Sequence, residues 1–151
     1  MKYHLAQYNM ARLLEPLDHP SIVDFVEALE PINRLAETSP GFVWRHQTED
    51  GDSTSVRPYS DDRIIINFSV WTDPDALWHY TYKSDHVDVF RRRREWFDRN
   101  LEAHLVMWWI PAGHIPSVRE ATERLEKLRT IGPTPEAFTF RQRFDPPEDE
   151  T

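Results

Sequence analysis

The residues best suited to chemistry fall on one stretch of the chain. His86, Phe90, Arg94 and Phe97, at 100° per residue, lie within one helical sector about 80° wide. An ordinary amphipathic helix would carry apolar residues at all four places, and a buried histidine or arginine is costly without partners. In one reading both side chains point into a cavity, His86 as acid/base and Arg94 holding an anion or a carbonyl. In the other, Arg94 pairs with an internal carboxylate and His86 is hydrogen-bonded at a helix start. Asn67, Ser69 and His104 interrupt apolar strand faces, as Asn9 and Gln7 do in the first strand. Polar groups so placed orient a ligand carbonyl or phenol, or hydrogen-bond one another at a wet dimer interface. Trp108 is a candidate for stacking on an aromatic substrate, although core packing is the default role of tryptophan. The candidate set is therefore His86 and Arg94 for catalysis, with Asn9, Asn67, Ser69, His104 and Trp108 for substrate binding.

Other chemistries are excluded or weakened. The chain has 0 cysteines, which removes disulfide scaffolds, thiolate metal sites and a cysteine nucleophile. His79 and His86 are too far apart along a helix, about 10 Å, to share one ion, and no His-x-x-x-His pair occurs, so no metal site is expected. With 4 glycines and no G-x-G there is no Gly-rich phosphate loop, and no G-x-S-x-G elbow is present. A net charge of -8 disfavours nucleic acid. Arg91-Arg92-Arg93-Arg94 does not reverse this, because four consecutive helical positions spread around the circumference. No apolar run approaches the roughly 18 residues of a membrane helix, and the N-terminus lacks a signal-peptide core. A cytoplasmic protein is the expectation.

The elements that must position these residues can be read in order. The chain of 151 residues suits one domain, expected over residues 1–144, with an acidic disordered tail at 145–151. Tyr3 to Met10 reads as a strand. Pro20 suits the first turn of a helix carrying Ile22, Phe25, Val26, Leu29 and Ile32. Pro31 should kink or break it, and Ser39-Pro40-Gly41 should stop it. Phe42 to Gln47 alternates as a strand, Thr48 to Asp62 is a loop, and Arg63 to Trp71 is the clearest strand. Thr72 or Asp73 caps a second helical region that runs past Trp78, breaks near Ser84 and resumes to Asn100. Leu101 to Ile110 is a strand. Ser117 and Glu120 fit a capping box for a third helix, Gly132-Pro133 ends it, and Ala137 to Phe144 is a last strand.

The order β-α-β-β-α-β-α-β begins with the split βαβ, or ferredoxin-like, arrangement, an α+β antiparallel sheet with an added C-terminal helix and strand. The strands at Ile64 and Leu101 are apolar on both faces and so need cover on both. Three helices can cover only one side of a single sheet, so the other packs on a partner's sheet, which predicts a homodimer closing into an α+β barrel.

Several pieces resemble a bacterial family of unknown function, DUF3291. They are His86, Arg92-Arg93-Arg94-Glu95-Trp96-Phe97, Trp108-Trp109-Ile110-Pro111-Ala112-Gly113-His114, Gly132-Pro133-Thr134-Pro135-Glu136-Ala137-Phe138 and the N-terminal Leu5-Ala6-Gln7-Tyr8-Asn9. The resemblance spans nearly the whole chain. It implies membership of the dimeric α+β barrel group related to antibiotic-biosynthesis monooxygenases. That group includes cofactor-free oxygenases, haem-degrading enzymes, isomerases and proteins without known catalysis. The implied function is an enzyme or enzyme-like protein, such as a cofactor-independent monooxygenase or isomerase. It would act on a small apolar or aromatic molecule between sheet and helices. A non-catalytic ligand-binding or structural homodimer is the alternative. No cofactor is expected. Haem is the remaining alternative, because haem-degrading relatives place a histidine and an asparagine on elements comparable to those of His86 and Asn9.

Overall fold

Alternation of apolar residues along three long strands sets the architecture. In the computed structural model, which describes residues 2–15, 18–46, 64–83, 96 and 105–147, the elements are β1 (Tyr3–Arg12), α1 (Val23–Thr38), β2 (Phe42–Arg45), β3 (Ile64–Trp71), α2 (Pro74–Lys83), β4 (Leu105–Pro111) and α3 (Val118–Ile131). The four strands form one sheet in the order β2-β3-β1-β4, with every pair antiparallel. This is the expected ferredoxin-like order.

Because strand side chains alternate between faces, the register assigns each residue a side. One face is apolar across its middle: Ala6, Tyr8 and Met10 of β1, Ile66, Phe68 and Val70 of β3, and Val106, Trp108 and Ile110 of β4, with His4 and Arg12 on the same side at the two ends of β1. Ala121, Leu125 and Leu128 of α3 complete this core. Phe68 is its hub, with ring centroids 5.7 Å from Tyr8 and 5.3 Å from Trp44. The opposite face packs on α1 and α2 in two separate clusters. Leu5, Trp71 and Met107 meet Ala36, Leu77 and Tyr80 at one end. Leu13 and Ile65 meet Ile22, Phe25 and Trp96 at the other. Burial of each large side chain stabilises the fold by about 1.5–3 kcal/mol.

Three expectations are corrected. The helices do not share one side: α3 crosses the second face, which is covered within the chain and does not by itself call for a partner. Pro31 does not break α1, which runs unbroken from Val23 to Thr38. The hydrogen bond that Pro31 lacks would have gone to the carbonyl of Glu27, and both residues lie on the exposed side of the helix, where water can replace it. The last strand reduces to one antiparallel bridge, Met107 with Phe138, followed by a tight Thr139–Gln142 turn.

The caps follow the sequence. Asp73 Oδ1 accepts from the Ala76 amide at 2.8 Å and starts α2. Ser117 Oγ accepts from the Glu120 amide at 3.1 Å and starts α3. Gly41 ends the α1 turn at φ 84°. A Cβ there would lie 2.4 Å from Ala76 Cβ, so only glycine lets α2 approach. Residues 47–63, most of the second helical region beyond α2, and the first part of the expected strand at Leu101 lie outside the described residues.

Candidate functional site

Between the two clusters on the α1/α2 side, the sheet turns polar. Register places Arg45, Ser69, Gln7 and Met107 in one row across all four strands, and Asn67, Asn9 and Leu105 in the next. Gln7, 3% exposed, joins the rows. Its Nε2 donates to Asn67 Oδ1 at 2.7 Å and to Ser69 Oγ at 2.8 Å. Ser69, 6% exposed, also accepts from Trp71 Nε1 at 2.9 Å. Asn67 is exposed and Asn9 half-buried, although β3 and β1 are the two inner strands. The belt thus lies between the two apolar clusters, with Gln7 and Ser69 buried and Asn67 exposed.

Arg45 closes the outer end of the belt. A register shift between Phe42 and Trp44 turns Trp44 to the α3 side and Arg45 to the α1/α2 side. Arg45 Nε donates to Glu37 Oε1 on α1 at 2.7 Å. Tyr80 stacks on Trp71, with centroids 5.0 Å apart and planes at 29°, and its hydroxyl donates to the Ile32 carbonyl at 3.3 Å. Burial raises the Tyr80 pKa well above the ordinary tyrosine value, an effect the Arg45 charge opposes. The phenol is therefore a neutral wall, not an ionised one.

The structure thus brings Asn9, Asn67 and Ser69 together, and it separates Trp108 from them. Trp108 lies on the α3 face, fully buried, and its indole Nε1 donates to Glu120 Oε2 at 2.8 Å. The other oxygen of Glu120 meets His114 Nε2 at 2.9 Å. Trp109 points the opposite way and donates to the Phe144 carbonyl at 2.8 Å. The Trp-Trp-x-Pro-Ala-Gly-His segment accordingly pins β4 to α3 on one face and to the C-terminal segment on the other. Gly113, at φ 96°, lets the Pro111–His114 turn close, with the His114 amide donating to the Pro111 carbonyl at 3.0 Å. His86, Arg94 and His104 lie outside the described residues. Trp96 is helical and buried against Phe25, with centroids 5.5 Å apart. No group of three or more His, Asp or Glu among the described residues could hold a metal ion.

Sequence reading noticed Gln7 as an interruption but did not place it in the site, and it passed over Arg45, Trp71 and Tyr80. Gln7 shares the parity of Asn9 and was within reach of that reasoning. Arg45 was not, because its side depends on the register shift.

With a ferredoxin-like sheet and a polar belt under its helices, the chain can be set beside known proteins. It belongs to the family described as "Domain of unknown function (DUF3291)", whose model matches residues 4–151. No curated protein matches significantly. Among solved structures, it is similar to SnoaB, a cofactor-independent oxygenase from Streptomyces nogalater, at 15% identity and a TM-score of 0.49, covering 74% of this chain and 95% of that one. It is similar also to a protein of unknown function from Nitrosomonas europaea at 11% identity and a TM-score of 0.48, covering 76% and 96%. Likenesses this distant say nothing of substrate or mechanism.

Proposed function

We propose that this protein is an enzyme of the monooxygenase-like α+β class, acting on a small aromatic or enolisable molecule bound over the polar belt. The observation that carries this reading is the belt itself: hydrogen-bonded polar side chains on two inner strands, open to solvent at Asn67, in a face otherwise apolar. The Ser69 hydroxyl and the Asn67 amide would hold a carbonyl or phenol oxygen. As a proton leaves the substrate, they would stabilise the negative charge that develops there. His86 is proposed as the acid/base and Arg94 as a second anion holder. Isomerisation would return the proton at a different carbon. Oxygenation would join the carbanion to dioxygen, the required co-reactant, oxidising the carbon and reducing dioxygen to the hydroperoxide level. The reading uses groups of this chain alone and needs no resident cofactor.

A non-catalytic ligand-binding or structural homodimer is the second reading. It is favoured by one observation: both Gln7 Nε2 hydrogens are taken by internal acceptors. The proposed dimer rests on family resemblance, since α3 removes the need for a partner on the second face. A cytoplasmic location belongs to the same proposal; among the described residues no helix is long and apolar enough to cross a membrane.

Ligand-induced thermal shift across a library of small aromatic and enolisable metabolites tests the proposal. At least one ligand should bind roughly 10- to 100-fold more weakly to Arg94→Met and to Asn67→Ala, through lost hydrogen bonds worth about 1.5–3 kcal/mol. Arg91→Met should bind as wild type does. If no ligand separates wild type from these variants, the non-catalytic homodimer is the better reading.

A further inference from the structure

The sheet ends in two outer strands, and the sequence blunts only one of them. β2 has four residues, carries Arg45 and is broken by the irregularity at Val43. Shortness, charge and a bulge all discourage a second chain from adding to an edge. β4 is Leu-Val-Met-Trp-Trp-Ile-Pro, with no charge on either face and proline only at its end. An edge of that composition is a template for pairing with its own copy. The segment after α3 stands in its way. The Met107 amide donates to the Phe138 carbonyl at 2.8 Å, and the Phe138 amide to the Met107 carbonyl at 2.9 Å. Met107 spends both groups outward, so alternation turns those of Leu105 and Trp109 outward as well. No described residue bonds to them. One rung of the edge is filled, and the rungs on either side are open.

The covering segment is a strap. Ala137 lies in the α3-side core and Phe138 in the cluster on the α1/α2 side, both fully buried, so two adjacent residues clip over the edge. The chain then turns at Thr139–Gln142, and its end is fastened from outside the sheet. Trp109 Nε1 donates to the Phe144 carbonyl at 2.8 Å. Arg143 pairs with Asp75 at 3.0 Å, and its guanidinium lies 5.8 Å from the Trp78 ring and 5.5 Å from that of Phe140. With side chains 38% and 87% exposed, the Arg143–Asp75 pair is a weak fastening.

We propose that Ala137 to Phe144 form a removable guard, and that the β4 edge beneath it is a latent interface for β4 of a second copy. Lifting the strap frees the Met107 rung between two rungs already open. The two β4 strands then pair antiparallel about a twofold axis at Met107, an isologous contact in which each copy offers the same apolar edge.

Hydrogen exchange and sedimentation of the full chain test both halves. In wild type the Met107 and Phe138 amides should exchange together, at least about 10-fold faster than the Tyr8 amide in mid-sheet, because they open with the strap and not with the fold. Trp109→Phe combined with Arg143→Asp removes the fastening. Both amides should then exchange about 10- to 100-fold faster still, the range for a lost bond and ion pair, while Tyr8 stays protected. The same variant should sediment at about twice the wild-type mass or more. Trp109→Lys combined with Arg143→Asp frees the strap equally but sets a charge on the edge. It should exchange like the first variant and keep the wild-type mass. If the double variants unfold, seen as lost Tyr8 protection, Arg143→Asp alone changes only an exposed contact and is read in the same way. Protection of Met107 and Phe138 equal to that of Tyr8 in wild type, or exchange unmoved by the substitutions, would overturn the guard. Fast exchange without a gain in mass, or a gain that the lysine does not abolish, would overturn the interface.

Discussion

Replacing Gln7 by Leu asks whether the belt serves the fold or a ligand. The two side chains are similar in volume, so no large cavity opens. Two hydrogen bonds are lost, each contributing about 0.5–1.5 kcal/mol net. The partners are not stranded: Ser69 keeps its bond from Trp71 Nε1, and Asn67 is exposed and can turn to water. Against the loss stands the burial of the leucine side chain at a site 3% exposed, about 1.5–3 kcal/mol. The terms nearly cancel, so Gln7→Leu should shift unfolding by no more than about 1 kcal/mol, or roughly 2–4 °C in Tm for a chain of this size. Binding of any ligand found for the site should nonetheless fall, because Ser69 and Asn67 lose the group that orients them. Urea unfolding and ligand titration on the same preparation measure both. A loss of more than about 3 kcal/mol in stability with binding unchanged would refute the reasoning and make the belt a structural network.

Other consequences can be checked by simpler means. Trp108→Phe removes the donor to Glu120 and should destabilise by about 2–4 kcal/mol in urea unfolding, combining a charge-assisted bond with a small cavity; Glu120→Gln, which keeps an acceptor for the indole, should lose about 1 kcal/mol. Burial holds the His46 pKa below its ordinary 6.5, so the unfolded chain binds this proton first as pH falls. Its contribution to stability is therefore present above about pH 6.5 and is lost at lower pH; the drop in urea midpoint between pH 7.5 and 5.5 should be smaller in His46→Gln than in wild type. Sedimentation should show a dimer burying more than about 2,000 Å², and a stable monomer at micromolar concentration would refute it. Purified protein should be colourless and give no specific Soret band on haemin titration; a sharp band abolished by His86→Ala but not by His104→Ala would reverse that expectation.

Much of the fold was legible because local rules agreed with the global one. Asp73, Ser117, Gly41 and Gly132 mark element ends through capping and positive φ, which are properties of a few adjacent residues. Alternation in β3 separates Ile66, Phe68 and Val70 from Ile65, Asn67, Ser69 and Trp71, and the register confirms that division. What failed depends on distance. The stripe of Val118, Ala121, Leu125 and Leu128 predicts that α3 buries a face but not which side of the sheet receives it. The segment after Ala137 has strand-like alternation, yet its backbone pairs with β4 only at Met107. The side of Arg45 was hidden most completely. Plain alternation from Phe42, which packs toward Trp71, would send Arg45 to the α3 side; the irregularity at Val43 inserts one residue and moves it over Ser69. A bulge of this kind re-aims a side chain, and nothing in the four-residue strand announces it.

The two faces of the sheet provide the argument that the belt is not needed for folding. The same three long strands carry an apolar middle under α3, with Tyr8, Phe68 and Val106 at the very level where the other face holds Gln7, Asn9, Asn67 and Ser69. The backbone therefore accepts a fully apolar middle. On the α1/α2 side, apolar residues at the belt would have fused the cluster around Trp71 with the cluster around Trp96 into one core, adding roughly 1.5–3 kcal/mol for each large side chain. The polar residues forgo that gain and must satisfy one another, which Gln7 does for Ser69 and Asn67. A local departure from the pattern that the rest of the chain follows, reaching solvent at Asn67, is the kind of conflict that marks a site shaped by function. That inference does not depend on which reaction is performed. It depends on Asn67 being exposed on an inner strand, and on Arg45 being turned toward the belt by a single irregular residue.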